Sequence, residues 1–307
     1  MKRFLFLTAF AAVLCMSCIK HPVDPVPEDE SIEYNYSEPK IEAPANQQNH
    51  FSAYIDPSLS QEGMKNPAGE ADKIIDITLP PGLTGIVEFE KAGPQAIDFQ
   101  YVGSKASAGV TFQTTGAFQF LTITGIDGDQ ISMSAKVDGA DVNLNGTVRP
   151  EPEYSCYRQD VCRNWMIEET LLEVKGEGVS QQLGAGLRFN GCSLSEITKD
   201  VSVKSGLNID PLGPEYDIKK IMIDPSGKFG LIFQGAAPYY GDYTLKGTIM
   251  TYNLPHGEQP QFAGTAFGKL TSTNGYGRLE IKADIKEDTG KKYSVGVIFK
   301  MKSEPRR

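Results

Sequence analysis

The sequence predicts an all-β protein made of two β domains. Three observations predict it. Apolar and polar residues alternate over many short runs, as in "ISMSAKV" (131–137), where Ile131, Met133, Ala135 and Val137 fall on one face and Ser132, Ser134 and Lys136 on the other. Such alternation marks strands buried on one face only. Tight-turn pairs separate the runs: Asp127-Gly128, Asp138-Gly139, Asn274-Gly275 and Thr289-Gly290, with Pro225-Ser226-Gly227. Asn-Gly and Asp-Gly supply the positive backbone angles that hairpins need, so antiparallel meanders follow. Helical periodicity is scarce.

Taken in order, the chain starts with Lys2 and Arg3, then an apolar run from Phe4 to Leu14 broken only by Thr8. A helix needs about 20 apolar residues to span a bilayer, so this run is too short and reads as a secretory signal over 1–17. The run ends at Cys18, with Ser17 before it and Leu14 four residues upstream. This end resembles the lipobox of bacterial lipoproteins, although Cys15 stands where the family usually has leucine. The resemblance implies cleavage before Cys18 and acylation of its thiol. Residues 18–50 then form a tether: Ile19 to His50 carries Pro22, Pro25, Pro27, Pro39 and Pro44, and seven acids against Lys20 and Lys40. So few large apolar side chains cannot offset the ordering entropy, and the prolines favour an extended chain. Glu28-Asp29-Glu30 resembles the acidic export signal of Bacteroidetes surface lipoproteins; equally, it reads as solvated linker.

The first β domain is predicted over 51–149, as a sandwich or partial barrel. Its strands are expected near 72–79, 84–90, 97–102, 110–115, 117–124, 129–137 and 141–148, with the less regular 51–70 read either as a further piece of linker or as a packed lead-in. "RPEPEY" (149–154) interrupts the pattern and marks the boundary. The second domain, 150–307, opens with a strand, "NWMIEETLLEV" (164–174). A short helix follows in "GCSLSEITKDVSVKSG" (191–206), where Ser193 and Glu196 form a capping box and Leu194, Ile197 and Val201 share a face. Strands are then expected near 216–224, 228–234, 241–252, 261–269, 277–286 and 292–301. One strand, one helix and a meander predict an up-and-down barrel.

"CRNWMIEETLLEV", "FNGCSLSEI" and "YDIKKIMIDPSGKFGLIFQGAAPYYGDYTLKG" resemble the lipocalin-like domains of Bacteroidetes outer-membrane lipoproteins. The resemblance covers roughly 156–302. It implies that Trp165, the single tryptophan, plugs one end of the barrel, with Arg163 where the family's glycine stands and Arg278 as the interior candidate for the arginine covering the ring. It also implies an outer-membrane location.

Composition narrows function. The formal charge is −9, and loss of Lys2 and Arg3 with the signal leaves −11. So acidic a chain, basic only in its tail from Lys300 to Arg307, is a poor partner for nucleic acid. Cys156, Cys162 and Cys192 remain after Cys15 and Cys18 are accounted for. An odd number leaves one thiol unpaired or paired outside the chain; the alternatives are a Cys162–Cys192 bridge and three small buried side chains. His21, His50 and His256 are scattered, no Gly-x-Ser-x-Gly occurs, and the glycine pairs 176/178 and 184/186 lack the strand-to-helix setting of a nucleotide loop. No catalysis and no cofactor are predicted. Asp127, Asp129, Asp138 and Asp141 are what hairpins use and lack the spacing of a calcium loop, so no metal is predicted either.

The candidate ligand site is "APYYGDY" (237–243). Tyr239, Tyr240 and Tyr243 lie at a turn, and an aromatic ring with a polar tip can stack on a sugar and still hydrogen-bond; the alternative is a barrel rim with these rings turned into the core. Trp165, Tyr252 and Tyr276 could extend the surface or line the interior. The expected function is a lipid-anchored envelope protein that binds a glycan. An alternative is a carrier of an apolar molecule, which would need space that Phe233, Leu245 and Phe299 would otherwise fill. A third is an assembly subunit whose protein partners the sequence does not name, docking through exposed strand edges.

Overall fold

The computed structural model of the protein describes residues 51–105, 109–114, 118–150, 161–176, 187–190, 194–205, 213–246, 249–254, 264–273, 275–286 and 292–304. The signal, Cys18 and the tether lie outside these residues, as do Cys156, Cys192, Ser193 and His256. The described chain is almost entirely antiparallel β, in two sheets of nine strands each.

The first sheet comprises β1 (Phe51–Ile55), β2 (Ile74–Leu79), β3 (Thr84–Phe89), β4 (Gly93–Asp98), β5 (Gln100–Lys105), β6 (Gly109–Gln113), β7 (Phe118–Asp127), β8 (Gln130–Val137) and β9 (Ala140–Val148). Its order is β4-β3-β2-β1-β9-β8-β7-β6-β5. The two end strands are consecutive in the chain, with Phe99 alone between them. A single sheet buries one face only by curling over it, which is the partial barrel rather than the sandwich. Phe51, Ile77, Leu79, Phe89, Phe99, Leu121, Met133 and Leu144 meet in one apolar cluster inside the curl. Each such side chain contributes about 1.5–3 kcal/mol when fully buried. Asp138 and Gly139 both have positive φ, 49° and 82°, as the Asp-Gly hairpin requires.

The region 51–70 departs from expectation. Its first five residues are β1, an interior strand, paired with β2 on one edge and β9 on the other. The loop after it is tied down by polar side chains. Buried Gln61 imitates a strand neighbour, accepting from the Ile74 amide (2.7 Å) and donating to the Ile74 carbonyl (2.8 Å). Asp72 accepts from the amides of Lys73, Lys91 and Ala92. Burial acts against its charge, but those amides and Asn66 hold its carboxyl below the ordinary range.

The second sheet comprises β10 (Asn164–Gly176), β11 (Leu187–Asn190), β12 (Ile218–Ile223), β13 (Lys228–Phe233), β14 (Tyr239–Lys246), β15 (Ile249–Leu254), β16 (Gly264–Thr273), β17 (Tyr276–Lys286) and β18 (Lys292–Ser303). From β12 to β18 each strand pairs with the next, an up-and-down meander. β10 pairs with β18 from Trp165 to Gly176. Its other edge meets β12 through only three residue pairs, Asn164 to Met166, and then takes β11 from Glu169 to Leu172. The ring is thus joined at one end and parted at the other, so it is not a barrel laced all the way round.

Two expectations change here. Helix α1 (Leu194–Ser205) follows the second strand of this sheet, β11, and not the first. Ser193 of the expected capping box lies outside the described residues; Asp217, far along the chain, accepts from the Ser195 amide (2.8 Å) and hydroxyl (2.9 Å), satisfying one of the first-turn donors. The run 241–252 is two strands, β14 and β15, which pair from Asp242↔Asn253 to Lys246↔Ile249.

One close approach in the first sheet is testable. A methyl group on Gly146 of β9 would collide with the Tyr54 carbonyl oxygen of β1, which is backbone and cannot swing away. Gly146→Ala should therefore cost about 1–3 kcal/mol and lower the thermal midpoint by roughly 2–10 °C. Asn145→Ala, one residue away, is the comparison; equal midpoints for the two would contradict the packing.

Candidate functional site

The turn between β13 and β14 carries the tyrosines. Leu231 pairs with Tyr239 and Gly230 with Tyr240, and strand side chains alternate. Tyr239 and Tyr243 therefore share a face with Phe229 and Leu231, while Tyr240 and Asp242 point the other way, toward the first sheet. Tyr243 is buried, and its hydroxyl donates to the Asp224 carbonyl (2.9 Å) and lies 3.2 Å from the Cys162 sulfur. Tyr240 is buried too, its hydroxyl 2.7 Å from both Asp76 Oδ1 and Thr78 Oγ1 of β2. Neither ring offers a face to a ligand, because each is packed and each polar tip is already bonded inside.

Trp165 is likewise fully buried, its Nε1 donating to the Val161 carbonyl (2.8 Å). The indole lies against Gly277, where an added Cβ would come within 2.9 Å of the ring. The arginine over it is Arg163, two residues earlier, with its guanidinium carbon 5.3 Å from the ring centroid. Arg278, the candidate from the sequence, instead bonds Glu280 at 3.3 Å. Phe299 and Phe233 are buried, as a filled interior would have them; the side chains of Leu245 and Tyr252 lie outside the description. Tyr276 is 55% exposed beside the β16–β17 turn.

Of Tyr239, Tyr240, Tyr243 and Trp165, Tyr239 alone is half-buried, and the other three are buried. It stands edge-on to Phe233, with centroids 5.3 Å apart, and Phe233 stands edge-on to Tyr216 at 6.3 Å. Tyr239 and Tyr216 are half-buried, with exposed Glu215 and Gln234 beside them. Backbone bonds fix this corner: the Gly235 and Ala236 amides donate to the Glu215 carbonyl, and the Gln234 amide donates to that of Asp217. Nothing in the spacing of "GPEYD" marks Tyr216 as a partner for residues 17 and more positions away.

The charged chemistry gathers elsewhere, at a waist where the outer faces of the two sheets meet. Arg149, just after β9, makes a buried ion pair with Asp76 and donates to Ser52 Oγ and, at 3.1 Å, to Thr78 Oγ1. Its guanidinium also lies 4.1 Å from the Tyr54 ring centroid. Burial opposes its charge, but Tyr240 and Asp76 outweigh burial and raise its pKa. Burial, then Asp76, pushes the Tyr240 hydroxyl well above its ordinary value. An apolar cluster of Ile86, Met222, Ile232 and Tyr240 packs beside them. A second polar group joins Glu304, Lys220, Asn164 and Thr84.

Among the described residues, no three His, Cys, Asp or Glu side chains come together to hold a metal ion. Asp138 of the acid-rich turns bonds Lys65 at 2.8 Å, and Asp141 lies 3.6 Å from Lys136. No described helix is long and apolar enough to cross a membrane, which does not bear on membrane β-barrels.

Glu88 gives this waist a pH dependence. It faces Asp76 directly across β2 and β3, and like charges so placed repel. Burial first, then Asp76, raises its pKa above 4.5; Lys228 and Arg149 act the other way, and Asp242 adds to the rise. A raised pKa means the folded state holds the proton more tightly, so this contribution to stability is present below about pH 4.5 and is lost as pH rises through the folded value. Glu88→Gln should be more stable than the parent at pH 7 by up to about 1 kcal/mol, with the difference vanishing toward pH 3. Denaturant melts across that range check it.

No protein-family model matches the chain, and no curated protein matches it. Among solved structures, a Trp-to-Ala mutant of transferrin binding protein B from Haemophilus parasuis, described as a vaccine antigen, matches with 10% identity and a TM-score of 0.25 over 73% of this chain and 51% of that one. A double mutant of the same protein matches with 10% identity and a TM-score of 0.24 over 84% and 59%. The chain thus spans between half and three fifths of the length of these neighbours, and at such scores the likeness carries no argument.

Proposed function

We propose that this chain is a lipid-anchored protein of the bacterial outer membrane that binds a glycan without catalysis, through the corner formed by Tyr239, Phe233 and Tyr216. The observation that carries the reading is this edge-to-face set, in which two half-exposed phenols flank a buried phenylalanine. A sugar presents an apolar ring face and a rim of hydroxyls. Tyr239 supplies a flat surface for the first, while Gln234, Glu215 and the phenol oxygens supply partners for the second. Phe233 holds the tyrosine ring in place, so little side-chain entropy is lost on binding.

Two further observations support the reading. The buried ion pairs Arg149–Asp76 and Lys220–Glu304 are engaged within the waist, apart from the Tyr239 corner. The run ending at Cys18, followed by the acidic proline-rich stretch to His50, supplies an anchor and a spacer.

Two measurements test the reading. In cells, Cys18→Ser should move the protein out of the membrane fraction; retention there would remove the lipid anchor. On an array of envelope and host glycans, the soluble Cys18→Ser protein should retain at least one class of sugar. Tyr239→Ala should then weaken retention by about tenfold or more, while Tyr276→Ala leaves it unchanged. No retained sugar, or equal retention by both variants, would defeat the glycan site. Co-purification of a small apolar molecule or a stoichiometric protein would point to the carrier or the assembly subunit instead.

A further inference from the structure

The waist contains a device that the binding function does not use. The turn between β2 and β3, Pro80-Pro81-Gly82-Leu83, enters the joined end of the second sheet. The Asn164 amide donates to the Pro81 carbonyl (2.9 Å), and the Glu304 amide donates to the Asn164 carbonyl (2.9 Å). Glu304 is therefore fixed to β10 of the second sheet through its own backbone. Its side chain, 3% exposed, reaches across to the first sheet. Oε2 accepts from the Leu83 amide (2.7 Å), the Thr84 amide (3.3 Å) and Asn164 Nδ2 (2.8 Å), while Oε1 pairs with Lys220. Asn164 Nδ2 also donates to the Thr84 carbonyl (2.6 Å), and Lys220 Nζ donates to Thr84 Oγ1 and lies 3.9 Å from Asp98.

We propose that Glu304 is a latch that makes the two sheets one cooperative body, by gripping the amides of Leu83 and Thr84 from the second sheet. Three features distinguish it from an ordinary surface contact. One carboxylate serves donors from both sheets. It is withdrawn from solvent, where a charge-assisted bond is strongest. The turn it grips is shaped to receive it: Gly82 has φ +143°, and a Cβ there would stand 2.7 Å from Glu304 Oε2 and 2.6 Å from Asn164 Nδ2. Burial works against the ionised carboxylate, but the Lys220, Asn164 and Leu83 bonds hold its pKa below the ordinary value. The other clamp of the waist, Tyr240 on Asp76, lies along the sheet faces and leaves this end to Glu304.

The test uses the full chain. Trp165, the single tryptophan, reports the second sheet by fluorescence; amide exchange of β8 and of Leu83 and Thr84 reports the first. In the parent protein, denaturant should unfold both sheets in one transition. In Glu304→Gln the Trp165 transition should separate from that of β8, and under native conditions the Leu83 and Thr84 amides should exchange roughly tenfold faster or more, the loss expected when a hydrogen bond to a charged group goes. Glu304→Asp keeps the charge but shortens its reach, and should give a smaller rise at the same two amides if Gln does not fold. Tyr240→Phe should leave those amides unchanged. Coincident transitions with unchanged Leu83 and Thr84 exchange in Glu304→Gln would overturn the latch. So would an equal rise across β8 in either Glu304 variant, which signals general destabilisation.

Discussion

The outer face of the first sheet is organised by the buried ion pair between Arg149 and Asp76, which Tyr240 meets from the second sheet. Two charges withdrawn from water carry a desolvation cost, and against it both Asp76 oxygens and both terminal nitrogens of Arg149 are bonded, while Arg149 Nε has no partner. Asp76 takes Arg149 on one oxygen and the Tyr240 hydroxyl on the other. Arg149 spreads its donors over Ser52, Thr78 and Asp76 and lies on the Tyr54 ring. Removing one partner would leave the other charged and buried, at a cost of about 3–5 kcal/mol. The cluster spans β1, β2 and the end of β9 and then crosses to β14, so one connected set of side chains fixes strand order within a sheet and the contact between sheets.

This also explains the composition of β2. "IIDITL" looks poorly patterned for a strand buried on one face, yet nearly every residue is buried. Ile77 and Leu79 fill the inside of the first sheet, while Asp76 and Thr78 fill the outside, which lies against the second. A polar residue at a buried position is costly unless bonded, and here the partners come from another sheet.

Strands that alternate or are bounded by turn residues were legible in the sequence, even β13, which is buried on both faces. Alternation in 131–137 and 141–148 became β8 and β9 within a residue or so, and 228–234, 277–286 and 292–301 became β13, β17 and β18. The all-β class and the short helix were legible for the same local reasons. β1 was missed because five residues after a polar segment are too few to show a period, and its interior place is set by partners 22 or more residues away. The division between β14 and β15 was missed because "YTLKGTIMTY" reads as one β-prone run without Asn-Gly or Asp-Gly. The tyrosines were found but not their environments. Tyr240 and Asp76 are 164 positions apart, and no pattern within a window of residues can say that one will bury the other. Tyr239 differs from Tyr243 in what covers it, not in spacing.

The interior position of β1 has a mechanical consequence. Phe51 is where the preceding chain joins the described fold, and the strand it begins is bonded along both edges. A pull on that chain cannot peel β1 away from a free edge one bond at a time; it loads two ladders together. One residue in, Ser52 carries the Arg149 guanidinium on its hydroxyl and the Arg149 amide on its carbonyl. From Arg149 the force passes through Asp76 to Tyr240, and so into the second sheet. A body pulled through Phe51 in flowing or crowded surroundings would bear the drag on both sheets through the same few polar contacts.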